Sequence, residues 1–143
     1  MRIGVVAWVV VYVAALLALG ALDSVWLTTM LPAYQHGLGG LLAATPDLTA
    51  AGLFYLLYAA GLVILVVQPG GRGQRWYLVS ARGALFGLVA YGTYDLTNYA
   101  TLRPWSLGLT VSDMVWGAVV TAVASALGIV VGRLLMSLIR PGG

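Results

Sequence analysis

The only acidic side chains in this sequence are four aspartates, and three of them sit where a charge is costly. Asp23, Asp95 and Asp113 each lie at or just inside the end of a long apolar segment. A carboxylate retained beside hydrocarbon marks a functional site by default. Oxygen ligands of this kind suit a hard cation. With tyrosines nearby, the same groups could grip an amine by charge and cation–π contact. Paired carboxylates could also exchange protons as acid and base. Each aspartate has an aromatic about one helical turn away. Asp23 precedes Trp26, Asp113 precedes Trp116, and Tyr91, Tyr94, Asp95 and Asn98 follow i, i+3, i+4, i+7 spacing on one helical face. An aromatic in that place can keep water from a carboxylate and so tune it.

Plainer roles compete for each residue. Ser112 and Asp113 have the character of a helix start, where an oxygen caps free amides. Asp23 could mark the membrane surface, since the apolar run stops at Leu22. Asp95 could pair with Arg103 or accept hydrogen bonds from Tyr55 and Tyr58. The single histidine, His36, excludes two-histidine haem ligation and most zinc sites. It is expected in a solvated loop after Pro32, unless that loop folds back over the polar residues. No phosphate loop, nucleophile elbow, zinc-protease or dinucleotide signature is present. No cofactor or metal set is therefore expected, and enzyme activity is left open.

The elements that must position these groups follow from composition. At 143 residues, 62% apolar and 8% charged, the chain is far from a soluble domain, where about a quarter of residues are charged. Cysteine, lysine and glutamate are absent, and the net charge of +3 has no basic run, so nucleic acid is not an expected partner. Four membrane spans are predicted, at about 3–30, 49–67, 76–101 and 110–139, in one all-α domain covering 1–143. Ile3 to Leu22 is uncharged and long enough to cross about 30 Å of hydrocarbon. Pro32 should stop that helix near Met30. A signal peptide is the rival account of this segment, but its apolar run is longer than a usual signal core.

Arg2, Arg72, Arg75, Arg133 and Arg140 fall on one side of such a bundle and Arg103 on the other. That asymmetry predicts both termini in the cytoplasm, with Trp76 and Tyr77 as interfacial anchors. Arg82, inside the third span, would snorkel or meet an anionic headgroup. All three aspartates then face the outer side. Gly83 and Gly87 offer a small face for close helix packing, within the chain or between two copies.

The run Tyr91-Gly92-Thr93-Tyr94-Asp95-Leu96-Thr97-Asn98 resembles a motif of a family of small bacterial membrane proteins known only as a domain of unknown function. So do Gly83-Ala84-Leu85-Phe86-Gly87 before it, Asp23 with Trp26-Leu27, the Phe54-Tyr55-Tyr58 cluster, and Asp113 with Trp116-Gly117. The resemblance covers nearly the whole chain. It implies a multi-pass protein of the bacterial inner membrane and carries no activity with it. The small multidrug exporters fit less well, because they rely on a membrane glutamate.

These residues lead to the expectation of a four-transmembrane-helix bundle with a site in its extracytoplasmic half. Asp95 is its principal charge, flanked by Asp23 and Asp113. Tyr91, Tyr94, Asn98, Tyr55, Tyr58 and Trp116 supply hydrogen bonds and walls. Such a site would bind, and by extension transport, a small molecule or cation. Acid–base chemistry on a lipid-like substrate and a structural role in a membrane complex are the alternatives. Expected partners are membrane lipids, the ligand and a second copy of the chain.

Overall fold

A computed structural model describes residues 4–70 and 73–139, and among these the chain is helical with no strand. Arg2, Arg72 and Arg140, which carry part of the orientation argument, lie outside the described residues. Helix α1 spans Val5–Leu38 and ends in a 3₁₀ turn, Gly39–Leu41. Helix α2 spans Leu48–Leu62 and continues through a π-helical turn, Val63–Val67, into Gln68–Gly70. Helices α3 (Trp76–Thr101) and α4 (Leu107–Ile139) complete the bundle. The four-helix arrangement expected from the sequence is present. Three of the helices, α1, α2 and α4, are long and apolar enough to cross a membrane. The fourth, α3, has 26 residues, enough to span about 39 Å. Its polar run from Tyr91 to Asn98 is what lowers its apolar character.

Two helix ends depart from expectation, and both bear on the site. Helix α1 does not stop before Pro32 but runs through it for nearly two more turns. The extension is held from outside the helix: Tyr34 hydrogen-bonds Asp113, and a methyl group at Gly37 would lie 3.2 Å from Leu109 Cδ1. Helix α4 starts earlier than Thr110, and its first turn is capped by Ser106, whose Oγ accepts from Leu109 N at 3.1 Å. Asp113 is therefore not a cap. It lies nearly two turns inside α4, because the Leu107–Gly108–Leu109 stretch joins the helix once Ser106 can close it. Helix α2 does have an aspartate cap: Asp47 Oδ1 accepts from Thr49 N and Ala50 N at 2.8 and 3.0 Å.

Helix α4 is the hub. It packs along most of α3 and along α1, while α2 touches α1 and reaches α3 and α4 chiefly through its π-helical end. The α3–α4 approach is close because its residues are small. A methyl on Gly83 would come 2.8 Å from the Thr121 carbonyl oxygen, and one on Gly117 would come 2.7 Å from Tyr91 Cβ. Gly83 and Gly87 thus pack within the chain, against Ser125, Thr121 and Gly117. Val11, Ala15, Leu19, Leu62, Val66, Val120 and Ala124 fill the centre. Large apolar side chains such as Val9, Leu17, Leu57, Leu85 and Val119 point outward. An outer surface this apolar belongs in lipid, not water.

Far from the aspartates, Arg82 donates to Gln74 Oε1 at 2.8 Å and Arg133 donates to the Gln74 carbonyl. Trp76 and Tyr77 lie exposed beside them with Arg75 over the Tyr77 ring. The described arginines other than Arg103 therefore gather at one end of the bundle and the aspartates at the other.

Candidate functional site

Every aspartate of the polar layer lies on its helix's buried stripe, at or near one end of it. On α1 the inward residues are Ala7, Val11, Ala15, Leu19 and then Asp23, one every four positions. On α3 they are Val79, Gly83, Gly87, Gly92 and Asp95. On α4 Asp113 follows the buried Leu109 and Thr110 in the line that Gly117, Val120 and Ala124 continue. Helical spacing carries each carboxylate into the interior. Asp23 is 4% exposed, Asp113 5% and Asp95 0%. None of them is an exposed residue at a helix end.

Asp23 and Asp113 are held by one repeated device. Both begin an Asp-x-x-Trp sequence, on neighbouring helices that run in opposite directions. Each tryptophan therefore reaches the other helix's aspartate. Trp116 Nε1 donates to Asp23 Oδ1 at 2.6 Å, and Trp26 Nε1 donates to Asp113 Oδ1 at 3.1 Å. Between the two carboxylates the indoles stack at 4.7 Å, only 3° from parallel. A tyrosine completes each side. Tyr91 donates to Asp23 Oδ2 at 3.1 Å, and the Tyr34 hydroxyl lies 2.5 and 2.6 Å from the two oxygens of Asp113. Charge-assisted bonds of this kind are the strong ones. The aromatics do more than exclude water, since their N–H and O–H groups supply what the buried carboxylates need.

Asp95 is different. Neither of its carboxylate oxygens has a hydrogen-bond partner, although the side chain is fully buried. The three structural partners expected for it do not bond it. Arg103 is exposed in the turn after α3, the Tyr58 hydroxyl pairs with Thr121 Oγ1 at 2.7 Å, and Tyr55 faces Asp23. Asp95 interacts electrostatically with Asp113, and Asp113 with Asp23, so the three carboxylates form one connected series. A buried charge with no partner costs several kcal/mol, and a positive or hydrogen-bond-donating group beside it would offset that cost. The series does not make a chelate. Among the described residues no three His, Cys, Asp or Glu side chains are grouped to hold a metal ion.

The remaining expected residues divide between two sides. Tyr55, Tyr58 and Tyr91 belong with Asp23. Tyr58 is at the centre of the ring contacts here, 5.3 Å from Phe54, 5.5 Å from Phe86 and 6.3 Å from Tyr91. Tyr94 lies within electrostatic reach of Asp95 and interacts with Asn98, but neither bonds the Asp95 carboxylate; Tyr94 is 60% exposed, its ring edge-on against Trp105 at 5.5 Å. Trp116 is part of the clasp.

Three residues of this layer were not among the expected site residues. Tyr34 was hidden by the assumption that Pro32 ends α1. Trp26 was seen only as a neighbour of Asp23, because its true partner depends on helix order. Trp105, 6% exposed with an Nε1 that has no acceptor, lies in the α3–α4 turn, where no periodicity speaks for it. His36, by contrast, sits exposed on the α1 extension and takes no part.

A family model described as a predicted membrane protein, DUF2177, matches residues 8–130, and all three aspartates fall inside that match. No curated protein and no solved structure matches the chain.

Proposed function

We propose that this chain, which belongs to the DUF2177 family of predicted membrane proteins of unknown function, binds a small molecule or cation at Asp95 and carries it across the membrane. The observation that carries this reading is the fully buried Asp95 carboxylate with no partner on either oxygen. A scaffold has no use for such a group, because filling the site with an apolar residue would be no less stable. A protein that must accept and release a positively charged or donating ligand does have a use for it. Asp23 and Asp113 frame the site and, through Tyr34, Tyr91 and the two indoles, fix its walls.

In the orientation that the arginines favour, the layer opens toward the extracytoplasmic side of a bacterial inner membrane. Alternating access through so small a bundle would be easiest between two copies. Because Gly83 and Gly87 are already covered by α4, a second copy would meet another face.

One observation favours a second reading, catalysis on a lipid-like substrate. Asp95 and Asp113 interact while one is bare and the other accepts from both Trp26 and Tyr34. Unequal surroundings of this kind let two carboxylates divide the roles of acid and base.

Native mass spectrometry of protein extracted gently from its own membrane tests the leading reading. Wild-type protein should retain a small-molecule mass that Asp95→Asn protein lacks. Identical spectra for the two would count against binding at Asp95. A retained species chemically altered by the wild type but not by Asp113→Asn would favour catalysis.

A further inference from the structure

Of the three buried aspartates, two are already supplied with donors by the protein. Asp23 accepts from Trp116 and Tyr91, and Asp113 accepts from Trp26 and Tyr34. Only Asp95 has no donor, and it brings two oxygens and one negative charge. That bears on the class of cation. Calcium takes six to eight oxygen ligands, and magnesium keeps several waters beside one or two carboxylates. A single free carboxylate buried out of water, in a layer where the described residues group no three metal-ligating side chains, matches neither well.

An organic ammonium asks for less. One carboxylate balances its charge, and aromatic faces accept its polarised C–H or N–H surface. Such faces are at hand. Tyr34, which bonds Asp113, and Tyr94, whose ring packs against Trp105, both lie within electrostatic reach of Asp95. The buried Trp105 Nε1, with no acceptor of its own, offers a donor to an ether, ester or hydroxyl oxygen carried near the amine. Around this layer large apolar and aromatic side chains face outward, Leu96 51% exposed, Tyr94 60% and Val111 53%, interspersed with Thr93 and Thr97, whose hydroxyls bond back to their own helix. A ligand reaching Asp95 past such a surface travels in an apolar phase.

From these observations we infer that Asp95 takes a single organic ammonium group carried on an apolar body, in preference to an inorganic cation. The inference rests on the reading of Asp95 as a ligand site and narrows it to one chemistry. The orphaned carboxylate is independent of the acidic cluster as such, since the other two members are satisfied without a ligand.

The test uses full-length protein in phosphatidylcholine nanodiscs, titrated with dodecylamine, dodecanol, sodium or magnesium and followed by intrinsic tryptophan fluorescence. Dodecylamine should bind wild-type protein saturably at one site and bind Asp95→Asn at least about tenfold more weakly, a difference of about 1.4 kcal/mol. Asp95→Glu, which keeps the charge, should retain part of the affinity. Asp47→Asn, altered at an exposed helix cap, should bind as the wild type does. Dodecanol, with the same chain and no charge, should give no saturable signal. Circular dichroism of each variant in the same nanodiscs establishes that it is folded.

Equal dodecylamine affinity in wild type and Asp95→Asn overturns the inference, as does equal binding of dodecanol. Asp95-dependent binding of magnesium or sodium without dodecylamine overturns the ammonium class while leaving Asp95 as a binding site. If no probe binds in an Asp95-dependent way, the ammonium inference falls, and the native mass comparison decides separately on the broader reading.

Discussion

Asp23, Asp95 and Asp113 are chemically identical and all buried, and they differ in the donors that reach them. Trp116 and Tyr91 serve Asp23, Trp26 and Tyr34 serve Asp113, and nothing serves Asp95. Hydrogen bonds between membrane helices contribute about 0.5–2 kcal/mol, with charged acceptors toward the upper end. Trp116→Phe and Trp26→Phe should therefore each destabilise the fold by about 1–2 kcal/mol, measured by unfolding in mixed detergent micelles. The indoles also stack on each other, an arrangement that contributes about 0.5–1.5 kcal/mol. The double substitution should consequently cost less or more than the sum of the singles by a few tenths of a kcal/mol at least. Strict additivity would mean that the clasp is two independent bonds. The sequence displays the two Asp-x-x-Trp segments openly, but it pairs each tryptophan with its own helix's aspartate. The exchange became visible only with helix order, which one sequence's periodicity does not contain.

At the scale of the helix, glycines set how closely α3 and α4 approach, and through Tyr91 they set the geometry at Asp23. Gly117→Ala would drive a methyl group into Tyr91, and Gly87→Ala would drive one into the Gly117 backbone. Each should lower stability by about 1–3 kcal/mol through overpacking, and Gly117→Ala should also weaken the Tyr91–Asp23 bond. Gly20→Ala and Gly52→Ala, where a methyl group meets open space, should instead be neutral or stabilising by up to about 1 kcal/mol. A common loss at all four positions would refute the close-approach account. The α1 extension beyond Pro32 depends on Tyr34 in the same local way. Tyr34→Phe should speed amide hydrogen exchange in residues 33–38 while leaving 8–22 unchanged. The glycine pair was legible, because small-residue spacing is local. The inward stripe that ends at Asp23 was not, because Asp23 follows directly on the apolar run and reads equally as a surface marker. The extension was not, since proline's usual effect on a helix is overridden here by contacts with α4, 70 or more residues away.

For the molecule as a whole, segregation of charge is the dominant fact. Asp23, Asp95 and Asp113 lie at one end, and Arg75, Arg82 and Arg133 at the other. The arginine bias predicts a cytoplasmic arginine end. With no native cysteine, single substitutions report this cleanly. Ala44→Cys, in the α1–α2 connection, should react with an impermeant maleimide in intact cells, whereas Gly73→Cys should react only after permeabilisation. The reverse pattern would invert the bundle and place the aspartate layer on the cytoplasmic side. Four helices and a polar end were legible from composition alone, because hydropathy and chain length constrain them strongly. Whether the carboxylates were satisfied was not, as that depends on which side chains meet across the bundle. The division of labour among the three aspartates decides the account, and global stability reads it directly. Thermal unfolding of Asp23→Asn, Asp113→Asn and Asp95→Asn in one detergent is the measurement to make. The first two should unfold at lower temperature, each losing about 1–3 kcal/mol, and Asp95→Asn should match or exceed the wild type. A loss for Asp95→Asn as large as the other two would make Asp95 part of the scaffold and contradict its assignment as the binding group.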